Sequence, residues 1–181
     1  MIKYSIPITD EQKIHAWTLV EKTNYGRRGE ADGTKTMQYT GLLGEVCFAD
    51  IMDLPRPVAK DGWDGGIDFV IEGKKIDLKT MGRTVCVTAH FVNNLIASQV
   101  RAGQTDIYLF ASINTGTGII EFIGWLPKSR LRPEWIVRKG TPRRRDNGTQ
   151  FETRADMYEI QNQFLFGFSP YSFATQISLF A

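Results

Sequence analysis

Hydrophobic and polar positions alternate from Ile67 to Thr80, on both sides of Glu72-Gly73. Because successive side chains of a strand point to opposite faces, this alternation predicts two β-strands joined by a two-residue loop. Such a loop pairs Asp68 with Asp77 on one face of the hairpin, and Lys79 lies on that same face. Two carboxylates that face each other repel, so we expect a positive charge between them, and a divalent cation beside Lys79 would supply it.

Two other runs have the apolar spacing of helices. The first is predicted at about 10–24, where Thr9-Asp10-Glu11-Gln12 has the form of a capping box. The second is predicted at about 36–53 and ends before Pro55. Further elements are predicted downstream: a strand at 84–89, a helix at 91–101, strands at 106–113 and 118–125 around a loop at 114–117, a short helical turn at 127–130, a loop at 138–154, and an aromatic tail at 158–168 and 171–180 that packs on the core. This order predicts an α/β (α+β) domain in which helices flank a central mixed β-sheet.

The composition is that of a globular protein, with 42% hydrophobic and 23% charged residues in a chain of 181 residues. This length predicts one domain. No apolar run approaches the roughly 20 residues that a bilayer-spanning helix needs, so no membrane partner is expected. The N-terminus lacks the basic-then-apolar order of a signal peptide. Cys47 and Cys86 lie far apart without zinc-type spacing, which predicts reduced thiols and a cytoplasmic location.

Positive charge is concentrated in one part of the chain, although the net charge is only +2. A basic run falls within eight residues and consists of Arg138, Lys139, Arg143, Arg144 and Arg145. A smaller pair, Arg27-Arg28, lies beside glycines. Basic loops of this kind suit a phosphate backbone, and a solvated loop explains them equally well.

Glu45 is the acidic residue of the second predicted helix, which is apolar around nearly its whole circumference. An ionised carboxylate in such surroundings is costly unless it is paired or bound to a metal. An ion pair or a partly exposed helix edge also explains it. Gly41 and Gly44 lower the helix propensity by roughly 1 kcal/mol each, which favours close packing of the helix on the sheet; close approach of a nucleic-acid backbone is the other interpretation.

The order of these residues resembles the PD-(D/E)XK nuclease superfamily, which has the restriction-endonuclease-like fold. Glu45 matches the acid on the first core helix, Asp68 the acid that follows a glycine-rich bend, and Asp77-Leu78-Lys79 the (D/E)XK tripeptide. The resemblance covers about 36–125. It departs from the pattern at Ile67, where proline is common, and it lacks a helical Gln-x-x-x-Tyr, since Tyr108 falls in a predicted strand. Asp64, in the same bend as Asp68, is expected to have a structural or supporting role.

The resemblance implies a Mg²⁺-dependent deoxyribonuclease, an endonuclease, in which Mn²⁺ also serves. Asp68, Asp77 and the backbone carbonyl of Leu78 would hold the metal, with Glu45 as a direct or water-mediated ligand. Lys79 would orient or deprotonate the attacking water, or stabilise charge on the phosphate. The residues expected to contact DNA are Thr80, Arg83, Lys139, Arg143, Arg144 and Arg145.

The whole chain, 1–181, is interpreted as a single nuclease domain. It has a core at about 36–126, the first helix in front of it, and an extension at about 127–181. The resemblance implies DNA as the partner, a homodimer of the kind that many members form, and a prokaryotic cell or a phage-infected host. Two alternatives stay open: a catalytically silent DNA-binding module of the same fold, and a structural or assembly protein without nucleic-acid chemistry.

Overall fold

A computed structural model describes residues 3–23, 33–59, 66–144 and 148–180. Four residues named above lie outside the described residues: Arg27, Arg28, Asp64 and Arg145. The helices are α1 Asp10–Lys22, α2 Lys35–Ile51, α3 Ala97–Ala102 and α4 Phe173–Ser178. The strands are β1 Tyr4–Pro7, β2 Phe69–Ile71, β3 Lys74–Arg83, β4 Val92–Ile96, β5 Ile107–Asn114, β6 Ile119–Pro127, β7 Ile136–Val137, β8 Pro142–Arg144, β9 Gln150–Glu152 and β10 Met157–Gln161. Short 3₁₀ turns occupy Lys128–Arg130, Pro133–Trp135 and Asn162–Phe164.

The largest sheet has five strands in the order β1-β6-β5-β3-β2. The strands β3 and β5 run parallel, while the other neighbours run antiparallel. The strands β4, β10 and β7 form a second sheet, and β8 and β9 pair as a short ribbon. The predicted α/β class, with a mixed sheet flanked by helices, is therefore confirmed.

One face of the large sheet packs against α1 and α2 and forms the main hydrophobic core. Helix α1 begins at the predicted capping box, in which the Thr9 hydroxyl accepts from Gln12 N at 3.2 Å and the Gln12 side chain accepts from Thr9 N at 2.9 Å. Phe48 of α2 is fully buried in this core. The rings of Phe168 and Phe173 lie 5.9 and 6.1 Å from the ring of Phe48, so the aromatic tail packs on the core as predicted.

The opposite face of the sheet carries a smaller cluster. It joins α3, the β4–β10 pair and the central strands, and consists of Leu95, Val100, Tyr108, Phe110, Leu126 and Ile160. The second sheet therefore covers part of the face that the helices α1 and α2 leave open.

The sequence prediction of a strand at 84–89 was wrong, and that of a helix at 91–101 holds only in its second half. Residues 84–89 form no strand because β3 ends at Arg83, opposite the last residue of β5, and the chain beyond has no strand to pair with. Residues 97–101 lie in α3, whereas Val92–Ile96 is the strand β4, because β10 pairs with it along its whole length. Asn93, 1% exposed, donates there to the carbonyl of Ile160 at 3.2 Å and to Asn162 Oδ1 at 2.7 Å. A partner that lies more than sixty residues downstream thus overrides the local helical pattern.

The remaining predictions hold more closely. The turn between β5 and β6 has the Asn114 side chain accepting from Gly116 N and Thr117 N, as the loop at 114–117 requires. The predicted loop at 138–154 contains the short strands β8 and β9. Cys47 and Cys86 form no disulfide. None of the helices in the described ranges has the length and apolarity that crossing a membrane requires.

Candidate active site

The turn between β2 and β3 fixes the register of the hairpin. Glu72 and Gly73 both have positive φ values, 50° and 71°, as a two-residue turn matched to the strand twist requires. The register pairs Phe69 with Ile76. The Asp68 N–H donates to the Ile76 carbonyl at 2.9 Å, one position out of that register, so the ladder of paired residues ends at Phe69 and does not extend to Asp68 and Asp77.

Side chains on β3 alternate between the two faces of the sheet. Ile76 and Leu78 belong to the main core beneath α2. Asp77 and Lys79 belong to the other face, where Asp77 is 5% exposed although it carries a charge. Lys79 Nζ lies 2.6 Å from Asp77 Oδ1, and this ion pair supplies the positive charge expected beside the two carboxylates. The same Oδ1 atom is buried and makes no well-aligned hydrogen bond to any described residue.

Asp68 is held by the backbone of β3. Its Oδ2 atom accepts a hydrogen bond from Leu78 N at 2.7 Å. Burial raises the pKa of Asp68 well above its usual range, and the charges of Glu45 and Asp77 raise it further. The charge of Lys79 and the Leu78 hydrogen bond act in the opposite direction. The three acids are therefore close enough for their charges to disfavour full ionisation.

Helix α2 brings Glu45 to this site by packing closely on β3. A Cβ atom at Gly44 would lie only 1.9 Å from the Thr80 hydroxyl oxygen, so the glycine is what lets the helix approach the strand. Around Gly41 a Cβ atom would meet nothing within 4 Å. The packing interpretation therefore applies to Gly44, whereas Gly41 borders open space one helical turn before Glu45.

The Leu78 carbonyl points toward the same sheet edge as Asp68. In a strand, the N–H and C=O groups of one residue point to the same side, and Leu78 N points to Asp68. The pairing of β2 with β3 ends at Phe69 and Ile76, two residues before Leu78. The carbonyl is thus directed past the end of β2, beside the Asp68 carboxylate.

The donor chemistry of this site fits a hard divalent cation. Two carboxylates and one backbone carbonyl are oxygen ligands of the kind that Mg²⁺ prefers, and Asp77 Oδ1 is a buried oxygen with spare acceptor capacity. Across the described ranges, however, no three Asp, Glu, His or Cys side chains are grouped tightly enough to hold an ion. The residues would fit Mg²⁺ as two carboxylates and a carbonyl, with Glu45 as a further ligand, direct or through water, and waters in the rest of the shell, which is how Mg²⁺ is commonly bound.

Three neighbours of Asp77 were not selected as site residues from the sequence. Gly66 has φ +75°, and a Cβ atom there would lie 3.5 Å from Asp77 Oδ2. The Thr105 hydroxyl donates to the Gly66 carbonyl at 2.6 Å and ties this bend to the start of β5. Tyr108 pairs with Asp77 across β3 and β5, and burial, followed by the charge of Asp77, raises its pKa. Glycine in a bend was the signal for Gly66, whereas Thr105 has no local sequence signal.

Thr80 and Arg83, which were expected to contact DNA, are engaged inside the protein. The Thr80 hydroxyl oxygen is buried against Gly44. The Arg83 guanidinium donates to the Val92 carbonyl at 2.9 Å and lies 4.7 Å from the centre of the Phe91 ring. These side chains therefore hold β3 to α2 and to the start of β4, and we do not include them in a DNA surface.

The basic run divides into two kinds of side chain. Arg143 binds both carboxylate oxygens of Glu159, at 2.9 and 3.2 Å, and Arg138 Nη1 lies 2.7 Å from Asp156 Oδ2. Lys139 and Arg144 are exposed at the surface. Arg143 thus has a structural partner, whereas Lys139 and Arg144 keep their charge toward solvent.

The geometry is the basis on which this site is interpreted. The chain was compared with family models, with curated proteins and with solved structures. No family model, no curated protein and no solved structure matches it.

Proposed function

We propose that this protein is a metal-dependent nuclease of the PD-(D/E)XK type that hydrolyses phosphodiester bonds in DNA as an endonuclease. The observation that carries the proposal is the grouping of Asp68, Asp77 and Lys79 around Leu78 of β3. The Asp68 carboxylate accepts from Leu78 N at 2.7 Å, and on either side of Leu78 the Lys79 Nζ lies 2.6 Å from Asp77 Oδ1. Glu45 supports the proposal because its charge contributes to the raised pKa of Asp68.

The clustering of acids is costly to the fold. Burial and two neighbouring negative charges oppose the ionisation of Asp68, and a stable fold gains nothing from that arrangement. Sites of perturbed pKa are enriched where chemistry is done. A divalent cation among these oxygens would relieve the repulsion and, when bound, would lower the pKa of water and polarise the phosphate.

Each side chain has a role that follows from its position. Asp68 and Asp77, with the Leu78 carbonyl, would hold the Mg²⁺ ion, and Mn²⁺ offers the same preference for oxygen. Lys79 Nζ lies beside the buried Asp77. It would orient the attacking water or take a proton from it, or it would stabilise the charge that develops on the phosphate. Glu45 would hold a water from the helix side.

The proposal is tested by cleavage of supercoiled plasmid DNA in Mg²⁺. We expect Asp77→Asn and Lys79→Met to lower the cleavage rate by about 100-fold or more, since each removes a group that acts at the reacting phosphate. The matched controls are Asp53→Asn, at an exposed position two residues beyond the end of α2, and Lys74→Met, on the same strand as Lys79. Both controls should cleave at the wild-type rate.

Full cleavage by either Asp77→Asn or Lys79→Met would refute the proposal. A wild-type protein that binds DNA without cutting it in Mg²⁺ or Mn²⁺ would instead support the silent DNA-binding module. A protein that neither binds DNA at low salt nor cuts it would support the structural or assembly alternative.

A further inference from the structure

A basic groove lies between α3 and the segments that follow β7 and precede β10, away from the acidic site. It has a volume of about 490 Å³ and is lined by Ser98, Arg101, Lys139, Arg154, Ala155 and Asp156. The side chains of Arg101, Lys139 and Arg154 are exposed. No ion pair joins any of these three cations to an acid in the part of the chain that the structure describes.

Asp156, the one acid among the described residues that line the groove, is already paired. Asp156 accepts from Lys139 N at 2.8 Å and from Arg138 Nη1 at 2.7 Å. The bond from Lys139 N lowers the pKa of Asp156 most, and the bond from Arg138 lowers it further. The carboxylate therefore stays charged and keeps these two partners. The groove therefore presents an excess of positive charge to whatever enters it.

The backbone around the groove is fixed by hydrogen bonds from several segments. Ala97 N at the start of α3 donates to the Asp156 carbonyl at 2.8 Å. The Thr153 hydroxyl, on a residue that is 3% exposed, donates to the Arg138 carbonyl at 2.6 Å, and Gly140 N donates to the Thr153 carbonyl at 2.8 Å. Cations mounted on a preorganised backbone lose little further entropy when a ligand binds.

The groove lies on the same side of the large sheet as Asp77 and Lys79. Helix α3 packs through Val100 into the cluster that contains Tyr108, the register neighbour of Asp77. Four residues after Arg101, the Thr105 hydroxyl donates to the Gly66 carbonyl, and Gly66 borders the Asp77 carboxylate. The segment from α3 to β5 thus connects the groove with the acidic site.

We propose that this groove binds the phosphodiester backbone of the DNA that is cut at the acidic site, and this inference rests on the proposed function. Arginine presents a planar fork that matches phosphate oxygens, and lysine adds a point charge. Among the described residues that line the groove there is no large apolar side chain, which disfavours a lipid surface, since membrane binding gains from apolar insertion. Because its contacts are to phosphate, the groove should bind DNA without reading sequence.

The test is the salt dependence of binding to a fluorescently labelled DNA duplex in EDTA, where the proposed metal-dependent cleavage is blocked. Each phosphate contact contributes about 0.9 to the slope of log K against log salt concentration. We expect Arg101→Ala, Lys139→Ala and Arg154→Ala each to lower the slope magnitude by about 0.9, and the triple variant by about 2.7, on unrelated sequences alike. Lys22→Ala, at an exposed lysine of α1, is the matched control for Lys139→Ala and should keep the wild-type slope.

Unchanged affinity and slope in the triple variant would overturn the inference. So would a wild-type protein that binds polyglutamate more tightly than DNA, because the groove would then serve an acidic peptide. The proposed function is judged separately, by plasmid cleavage. If the wild-type protein cuts plasmid DNA and the triple variant binds DNA as tightly as the wild type, the groove inference fails and the proposed function stands. If the wild-type protein does not cut DNA but the triple variant loses DNA binding, the groove is supported as a binding site and the proposed nuclease function is refuted.

Discussion

The two faces of β3 use the same strand for opposite purposes. Toward α2, Ile76 and Leu78 are at most 3% exposed and belong to the main core. Toward the other side, Asp77 is 5% exposed and shares its surroundings with Lys79 and Asp68. The apolar face stabilises the fold by removing apolar surface from water, whereas the charged face destabilises it by bringing negative charges together. Burial alone therefore does not distinguish the two faces.

The residues of the apolar face hold the fold, and those of the charged face are the ones proposed for chemistry. A substitution on the apolar face should lower the free energy of unfolding and affect activity only through folding. A substitution on the charged face should change activity while leaving the fold as stable as before or more stable. Each of the following predictions can break that division.

Phe48→Ala is expected to have the largest effect on stability. Its side chain is fully buried among four aromatic rings, so removal should lower the free energy of unfolding by about 3–5 kcal/mol. Urea denaturation followed by circular dichroism measures this change. The control is Phe164→Ala, at a ring that is 43% exposed, which should lower it by less than about 1.5 kcal/mol. Equal losses at the two positions would break the distinction between the core and the surface.

Gly44→Ala and Gly41→Ala, on the same helix, should act in opposite directions. At Gly44 the new methyl group would lie 1.9 Å from the Thr80 hydroxyl oxygen and 2.8 Å from its Cβ, and the overpacking should cost about 1–3 kcal/mol. At Gly41 it would meet nothing within 4 Å, so helix propensity alone should stabilise by up to about 1 kcal/mol. Thermal and urea denaturation measure both variants. A stabilised Gly44→Ala protein would show that close approach of α2 to β3 is not needed.

Asp68→Asn is expected to give the smallest stability change, and one of opposite sign to the core variant. The pKa of Asp68 is raised in the folded protein, so the folded protein holds this proton more tightly than the unfolded chain. Its contribution to stability is therefore lost as the pH rises from about 4, the ordinary pKa of aspartate, through the raised folded value. Removing the charge should make the variant more stable than the wild type at neutral pH in EDTA.

This prediction is measured by urea midpoints across a pH series. Asp53→Asn, at an exposed aspartate, should follow the wild type at every pH. Lower stability of Asp68→Asn at neutral pH would mean that the Leu78 hydrogen bond and the charge of Lys79 outweigh the repulsion from Glu45 and Asp77. The charged face would then stabilise the fold after all.

The parts of the structure that sequence reasoning predicted are those set by local chemistry. Thr9 and Gln12 form the expected capping box, and the turn at Glu72-Gly73 pairs Phe69 with Ile76 in the expected register. Each of these features depends on residues within about ten positions of one another, so alternation and turn type are enough to define it.

The parts that were missed depend on distant partners. The strand β4 reads locally as a helix and becomes a strand because β10 pairs with it. Thr105 reaches Gly66 across the fold, and no spacing rule links the two. The basic run looked uniform in the sequence, yet Arg143 is bound by Glu159 whereas Lys139 faces an open groove. Which charges are neutralised is decided by tertiary contacts.

The position of Phe168 and Phe173 around Phe48 has a consequence for synthesis on the ribosome. Both rings are essentially fully buried and lie about 6 Å from the ring of Phe48, more than a hundred residues earlier in the chain. A nascent chain that stops short of Phe168 leaves that pocket open to water. The part of the chain before Phe168 therefore exposes aromatic surface until this last segment is released, an interval in which a chaperone that binds apolar surface has its target.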